Sequence, residues 1–134
     1  MSEDDSLERN SENSDIWKNY AFDPPGQENF SLRTTYPEDP DGVEVLMEIW
    51  KGGATEPAHH HPGDDLTVIV EGQMTVQFYS KGEHGLVKDG EQRVFNKGDS
   101  AYIKGNRIHS ATYPQDCKLV YVHNKKFDFI DDSE

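Results

Sequence analysis

Apolar side chains recur at every second position through much of this chain, the spacing of half-buried strands. From Val43 to Trp50, Val43, Val45, Met47 and Ile49 fall on one side, and Glu44, Leu46, Glu48 and Trp50 on the other. The second set mixes acids with large apolar groups, so that side is expected to be only partly covered. Phe30 to Tyr36 reads as a strand ended by Pro37 and the turn Pro40-Asp41-Gly42. Leu66 to Val70 is β-branched and too short for a helix, which predicts a buried strand. Glu71-Gly72 turns it into Met74 to Tyr79, with Met74, Val76 and Phe78 facing the core and Thr75, Gln77 and Tyr79 opposite.

Ser80 to Gly85 reads as a polar loop with an exposed His84, and Asp89-Gly90 as a hairpin turn joining Leu86-Val87-Lys88 to Glu91–Phe95. Lys97-Gly98-Asp99 leads into Ala101-Tyr102-Ile103 and then Arg107-Ile108-His109. Pro114-Gln115-Asp116 precedes Cys117 to His123, where Leu119, Tyr121 and His123 share a face; His123 is open between the interior and the exterior. Phe127, Phe129 and Ile130 form a closing packing segment. Some nine short strands, turned by Gly, Pro and Asp, predict an all-β sandwich or closed barrel.

The first part of the chain differs. Met1 to Asp15 is almost all Ser, Glu, Asp and Asn, too little apolar surface to offset the entropy of ordering it, and it is expected to be a disordered acidic tail. Ile16, Trp17, Tyr20 and Phe22, ahead of the turn Asp23-Pro24-Pro25-Gly26, read as an arm over residues 16–29, leaving 30–134 as one domain.

The candidate chemistry lies between Gly53 and Gly72. His59 and His61 are two apart, so in an extended chain they point to one side while His60 turns away. Asp65 follows just ahead of the apolar run, and two imidazoles with a carboxylate beside a buried strand are the donors of a divalent-metal site. A His run can also be a plain solvated loop. Asp64 has the opposite parity to Asp65.

Gly53, five residues, His59, one residue, His61, three residues, Asp65, six residues and Gly72 together resemble the first motif of the cupin family, with Asp65 where that family has Glu. The stretch GDSAYIKGNRIH, Gly98 to His109, resembles its second motif, with His109 at the third histidine ligand. Lys104 stands where Pro is usual, Asn106 where Gly is, and Tyr113 where the motif closes on Asn. Asn tolerates the left-handed backbone that Gly would serve, so Asn106 is a mild change. The resemblance spans roughly Val43 to His123 and implies a jelly-roll barrel with an ion held by His59, His61, Asp65 and His109. Asp is a methylene shorter than Glu, so Asp65 is open between direct coordination, coordination through water, and a site of three His plus solvent. Iron, manganese, nickel and zinc all suit such a mixed donor set.

An octahedral ion on these four groups would keep two positions that a small molecule with adjacent oxygens could occupy. Thr67, Ile69, Met74, Val76 and Phe78 are expected to line an apolar pocket beside it. Tyr113, four residues after His109 on a strand, would face the same way and is the candidate general acid or substrate hydrogen bond, or else a packed barrel tyrosine. Two functional classes follow: a metal-dependent enzyme, dioxygenase or isomerase/lyase, and a non-catalytic sensor or binder of a small ligand.

A formal net charge of −13 argues against nucleic-acid and anionic-membrane partners, since Lys125-Lys126 is followed at once by Asp128, Asp131 and Asp132. The first residues lack a signal-peptide pattern and no apolar run could cross a bilayer, so a cytoplasmic location is expected. The single Cys117 excludes an internal disulfide and reads as a packing residue. A homodimer is expected, through the Ile16 to Phe22 arm and the face bearing Leu46 and Trp50.

Deleting Met1 to Asp15 is expected to leave the thermal midpoint nearly unchanged. A loss of more than about 1 kcal/mol in unfolding experiments would show that the tail docks on the domain.

Overall fold

Backbone pairing with no helix is what the alternating pattern builds. A computed structural model describes residues 27–34, 44–124 and 128–133, and among them are eleven strands and no helix. In chain order they are β1 (Phe30–Thr34), β2 (Glu44–Trp50), β3 (Ala54–His60), β4 (Asp65–Glu71), β5 (Gln73–Gly82), β6 (Gly85–Lys88), β7 (Arg93–Asn96), β8 (Ser100–Ile103), β9 (His109–Tyr113), β10 (Cys117–His123) and β11 (Ile130–Asp131). The tail 1–15, the residues from Ile16 to Gly26, the segment 35–43 with its Pro37 and Pro40-Asp41-Gly42 signals, and 125–127 with Lys125, Lys126 and Phe127 lie outside the described residues.

A five-stranded sheet in the order β1-β2-β10-β4-β8 packs on a six-stranded sheet in the order β11-β3-β9-β5-β6, with β7 also on β5. Every pairing is antiparallel. The core fills the space between the sheets, where Trp50, Ile69, Val76, Tyr113 and Leu119 are each at most 2% exposed. This two-sheet arrangement is the jelly roll expected of the chain.

β2 corrects one sequence expectation. The face carrying Leu46, Glu48 and Trp50 is not partly covered but is turned into the interior, and these side chains are 6%, 8% and 2% exposed. Trp50 makes that face inward: its ring stacks on Phe30 at 4.1 Å and on Tyr113 of the opposite sheet at 4.3 Å, and it carries Glu48 inside with it. Leu46 and Trp50 are therefore unavailable as a dimer face, and the arm assigned to the same contact lies outside the described residues.

Asp89-Gly90 does not close a hairpin between its flanking strands. β6 and β7 both pair with β5, β6 along Tyr79–Gly82 and β7 along Gln73–Val76, so the turn passes the chain from one half of a long strand to the other. The polar loop expected at Ser80 to Gly85 is instead strand up to Gly82, returning at Gly85. Thr75 and Gln77, placed opposite the core by parity, are 7% and 9% exposed, and the Gln77 amide donates to the Gly90 carbonyl at 3.0 Å.

β3 carries a bulge. Glu56 pairs with Ala111 and His59 with His109, so three steps on β3 match two on β9, and Pro57-Ala58 take up the extra residue. Pro57 has no N–H for the ladder, and a bulge is where a strand tolerates that.

Gly72 joins β4 to β5 with φ +87°, and a Cβ there would stand 2.0 Å from the Asp116 carbonyl oxygen and 2.8 Å from Cys117 Cα. Both contacts are with backbone. Gly72→Ala is expected to cost more than about 2 kcal/mol in denaturant unfolding, since strained φ and a backbone clash add; an unchanged midpoint would mean that the turn opens freely.

Candidate metal centre

Three imidazoles meet inside the barrel. His59 is the penultimate residue of β3, His61 follows directly after the strand, and His109 opens β9 beside them; they are 1%, 5% and 5% exposed. One ligand atom from each lies within 4.8 Å of the other two, and among the described residues this is the group that could hold a metal ion. His59 and His61 present Nε2 atoms 3.1 Å apart. Neighbouring ligands at about 2.1 Å from one ion stand about 3 Å apart, so the spacing fits.

The tautomers follow from the backbone. His59 Nδ1 donates to the Pro57 carbonyl at 2.6 Å, His61 Nδ1 to the Asp128 carbonyl at 2.8 Å and His109 Nδ1 to the Arg107 carbonyl at 2.8 Å. With each Nδ1 holding the proton, the Nε2 lone pairs are directed into the interior. Burial lowers His59 to about 4, His61 to about 3 and His109 to about 4, with the His59 charge the second cause at His109. The imidazoles are thus neutral at pH 7, the protonation a cation requires of its ligands. The donor set fits a divalent ion.

Elements distant in sequence hold this arrangement. Phe129 stacks on the His59 ring at 4.2 Å, and β11 pairs with β3, setting Ile130 opposite His60 and Asp131 opposite His59. His60 turns away from the centre and bonds Asp132 Oδ2 through Nδ1 at 2.6 Å. Asp64 works on the loops, accepting from Gly105 N at 2.7 Å and from the Tyr102 hydroxyl. Asn106 has φ +67°, the left-handed backbone expected of it, and its N–H donates to the His61 carbonyl at 2.7 Å. His123 is fully buried beside His61, their rings 5.9 Å apart, which places it inside. His84 is exposed.

Asp65 is 3% exposed and lines the same cavity, but its oxygens do not join the group of three. Oδ2 accepts from the Tyr121 hydroxyl at 3.1 Å; Oδ1 is buried with no hydrogen-bond partner. Burial pushes its carboxyl up to about 7. Tyr113 also lines the cavity, and its hydroxyl donates to Glu56 Oε2 at 2.6 Å. Burial, then the charge of Glu56, raises the phenol well above its ordinary value.

Two carboxylates here were not picked out as site residues in the sequence. Glu48 accepts from Trp50 Nε1 at 2.9 Å, and Glu56 Oε1 stands 3.8 Å from His59 Nε2. Burial raises both, Glu48 to about 8 with the Glu56 charge as second cause, while the Tyr113 hydrogen bond partly offsets the rise at Glu56. A signal for Glu48 existed in its alternation with Leu46 and Trp50.

The cavity holds about 290 Å³, near the lower end for small-molecule sites. Thr67, Met74 and Val76 form part of its wall as expected, but Ile69 and Phe78 do not line it. Phe78 instead lies under the Arg107 guanidinium, 4.5 Å from its ring centroid. No lysine or arginine is among the described residues lining the cavity. Cys117 is 1% exposed and its thiol is pushed up to about 12 by burial and by Glu48, as suits a packing residue.

Residues 45–123, more than half of the chain, match the family described as the cupin domain. Among solved structures, KdgF from a Halomonas species is similar with a TM-score of 0.65, at 15% identity over 83% of this chain and 92% of that one. An RmlC-like cupin from Shewanella frigidimarina gives 0.64, at 18% identity over 86% and 92%. An oxalate oxidase gives 0.55, at 19% identity over 67% of this chain and 46% of that one. At these identities the likeness is one of fold. No curated protein sequence matches the chain. Among the described residues no helix is long and apolar enough to cross a membrane.

The buried Glu48 makes stability depend on pH. Its carboxyl titrates from 4.5 when free and at about 8 in the fold, so between these values the folded protein keeps a proton that the unfolded chain has released. Stability therefore falls as pH rises through that window, by at most about 1.4 kcal/mol per pH unit from this group. Urea unfolding of the metal-free protein between about pH 6 and about pH 8 is expected to show a steeper decline in wild type than in Glu48→Gln; parallel curves would mean that Glu48 is already ionised in the folded state.

Proposed function

We propose that this protein, which belongs to the cupin family, is a metal-dependent enzyme acting on a small, neutral, oxygen-rich molecule. The observation that carries this reading is the convergence of the His59, His61 and His109 Nε2 lone pairs on a mostly apolar cavity, with their protons held outward by backbone carbonyls. Met74, Val76, Leu119 and Phe129 give the cavity an apolar wall beside these nitrogens, as suits a site that takes up a small molecule and acts on it.

The ion would supply Lewis acidity toward an oxygen of the bound molecule or, as ferrous iron, redox chemistry with dioxygen. The chain's own residues do the rest. His59, His61 and His109 would hold the ion. The acid-rich lining disfavours an anion, whereas hydroxyl groups of a neutral molecule could donate to Asp65 Oδ1, which has no partner of its own. Tyr113 is stacked on Trp50 and bonded to Glu56, so its hydroxyl is held in one place and can pass a proton only along that hydrogen bond.

Elemental analysis of purified protein is expected to find about one divalent ion per chain, and His59→Ala, His61→Ala and His109→Ala are each expected to lose most of it. Undiminished metal in all three variants would remove the centre. Protein loaded with Fe(II), Mn(II) or Zn(II) and offered small vicinal-oxygen compounds should then turn one over; need for Fe(II) and dioxygen indicates a dioxygenase, and turnover by several metals without oxygen an isomerase or lyase. Tight binding without turnover under every condition would replace the enzyme by a ligand-binding protein.

A further inference from the structure

The spacing of the histidine motif nominates Asp65 as the carboxylate of the centre. Neither it nor Glu56 lies within the tight group of three imidazoles, but the fold brings Glu56 to 3.8 Å from His59 Nε2. We propose that Glu56, and not Asp65, is the carboxylate ligand of the metal ion. This rests on the reading of the His59, His61 and His109 group as a metal centre.

Strand parity alone would set Glu56 and His59, three residues apart, on opposite faces of β3. The bulge at Pro57-Ala58 removes that difference: the cross-strand partners of Glu56 and His59 are Ala111 and His109, two residues apart on β9 and both buried inward. Glu56 therefore shares the six-stranded sheet and the interior face with the imidazoles, whereas Asp65 belongs to β4 in the other sheet. Its Oε1 lies 3.8 Å from His59 Nε2, a nitrogen whose lone pair faces inward because Nδ1 carries the proton to the Pro57 carbonyl. An acceptor oxygen beside an acceptor nitrogen in a buried site repels, unless a cation or a proton lies between them.

Glu56 Oε2 accepts from the Tyr113 hydroxyl at 2.6 Å, and the Tyr113 ring is locked in a stack with Trp50, 4.3 Å apart and 9° from parallel. One oxygen held by a fixed donor and the other beside an imidazole nitrogen is how ligating carboxylates are commonly oriented. Asp65 is then left with one oxygen on Tyr121 and a buried Oδ1 that faces the cavity without a partner, suited to meet the bound molecule.

Glu56→Gln and Asp65→Asn keep size and hydrogen-bonding ability while removing the charge, so they separate the two acids. Metal-free variants, checked for folding by thermal unfolding, are titrated with Co(II) while the visible ligand-field bands are followed, and zinc content is measured after dialysis. Glu56→Gln is expected to weaken binding by about 100-fold and to shift the cobalt bands, with Asp65→Asn within about threefold of wild type and spectrally unchanged. Tyr113→Phe, which leaves Glu56 in place but without its donor, is expected to weaken binding by about tenfold. Should Glu56→Gln fail to fold, Glu56→Asp gives the same reading through its shorter reach. The inference is overturned if Asp65→Asn produces the loss and the shift, or if neither acid matters and the ion rests on three histidines and solvent. Full occupancy after the His→Ala changes would instead overturn the metal centre itself.

Discussion

Everything in this interior depends on three protons being held away from one point. Each of His59, His61 and His109 donates its Nδ1 proton to a backbone carbonyl, so that three Nε2 lone pairs face one another on the wall of the cavity. Without a cation the arrangement is unfavourable, because lone pairs on nitrogens 3.1 Å apart repel. The carbonyls that enforce it come from β3, from the loop before β9 and from the segment ahead of β11, so the centre draws together the bulged strand, its neighbour and the end of the chain.

The acids near the centre follow the same logic. Glu48 and Asp65 are buried and Glu56 largely so, no lysine or arginine is among the described residues lining the cavity, and burial raises all three. Each is stabilised in part by an aromatic donor: Trp50 Nε1 for Glu48, the Tyr113 hydroxyl for Glu56, the Tyr121 hydroxyl for Asp65. A divalent cation among them would favour their ionised forms and relieve much of the cost of burying them. Binding and stability are therefore coupled, since the groups that weaken the empty barrel are those that an ion would stabilise.

The aromatic column gives the cavity its rigidity. Phe30, Trp50 and Tyr113 stack from one sheet to the other, and the last ring delivers its hydroxyl to Glu56. A polar contact beside the imidazoles is thus set by dispersion contacts some residues away, and tight packing leaves the phenol little freedom to leave it.

Local rules sufficed for the strands and the histidines. Alternation marked most of the strands, Gly72 announced a turn that no side chain could occupy, and the two-residue spacing of His59 and His61 survives in the fold because both lie beyond the bulge. His60 and Asp64 point elsewhere, as parity required. Tertiary structure decided which face of β2 is interior, since a strand mixing acids with Trp and Leu has no inward side until the Phe30 and Tyr113 rings stack on Trp50. It decided that β6 and β7 share β5, because a turn signal states that the chain bends and not which strand receives it. Above all it brought Glu56 to the imidazoles: one extra residue at Pro57-Ala58 inverts the parity by which a sequence is read, and where a strand bulges depends on the partner strand it must match.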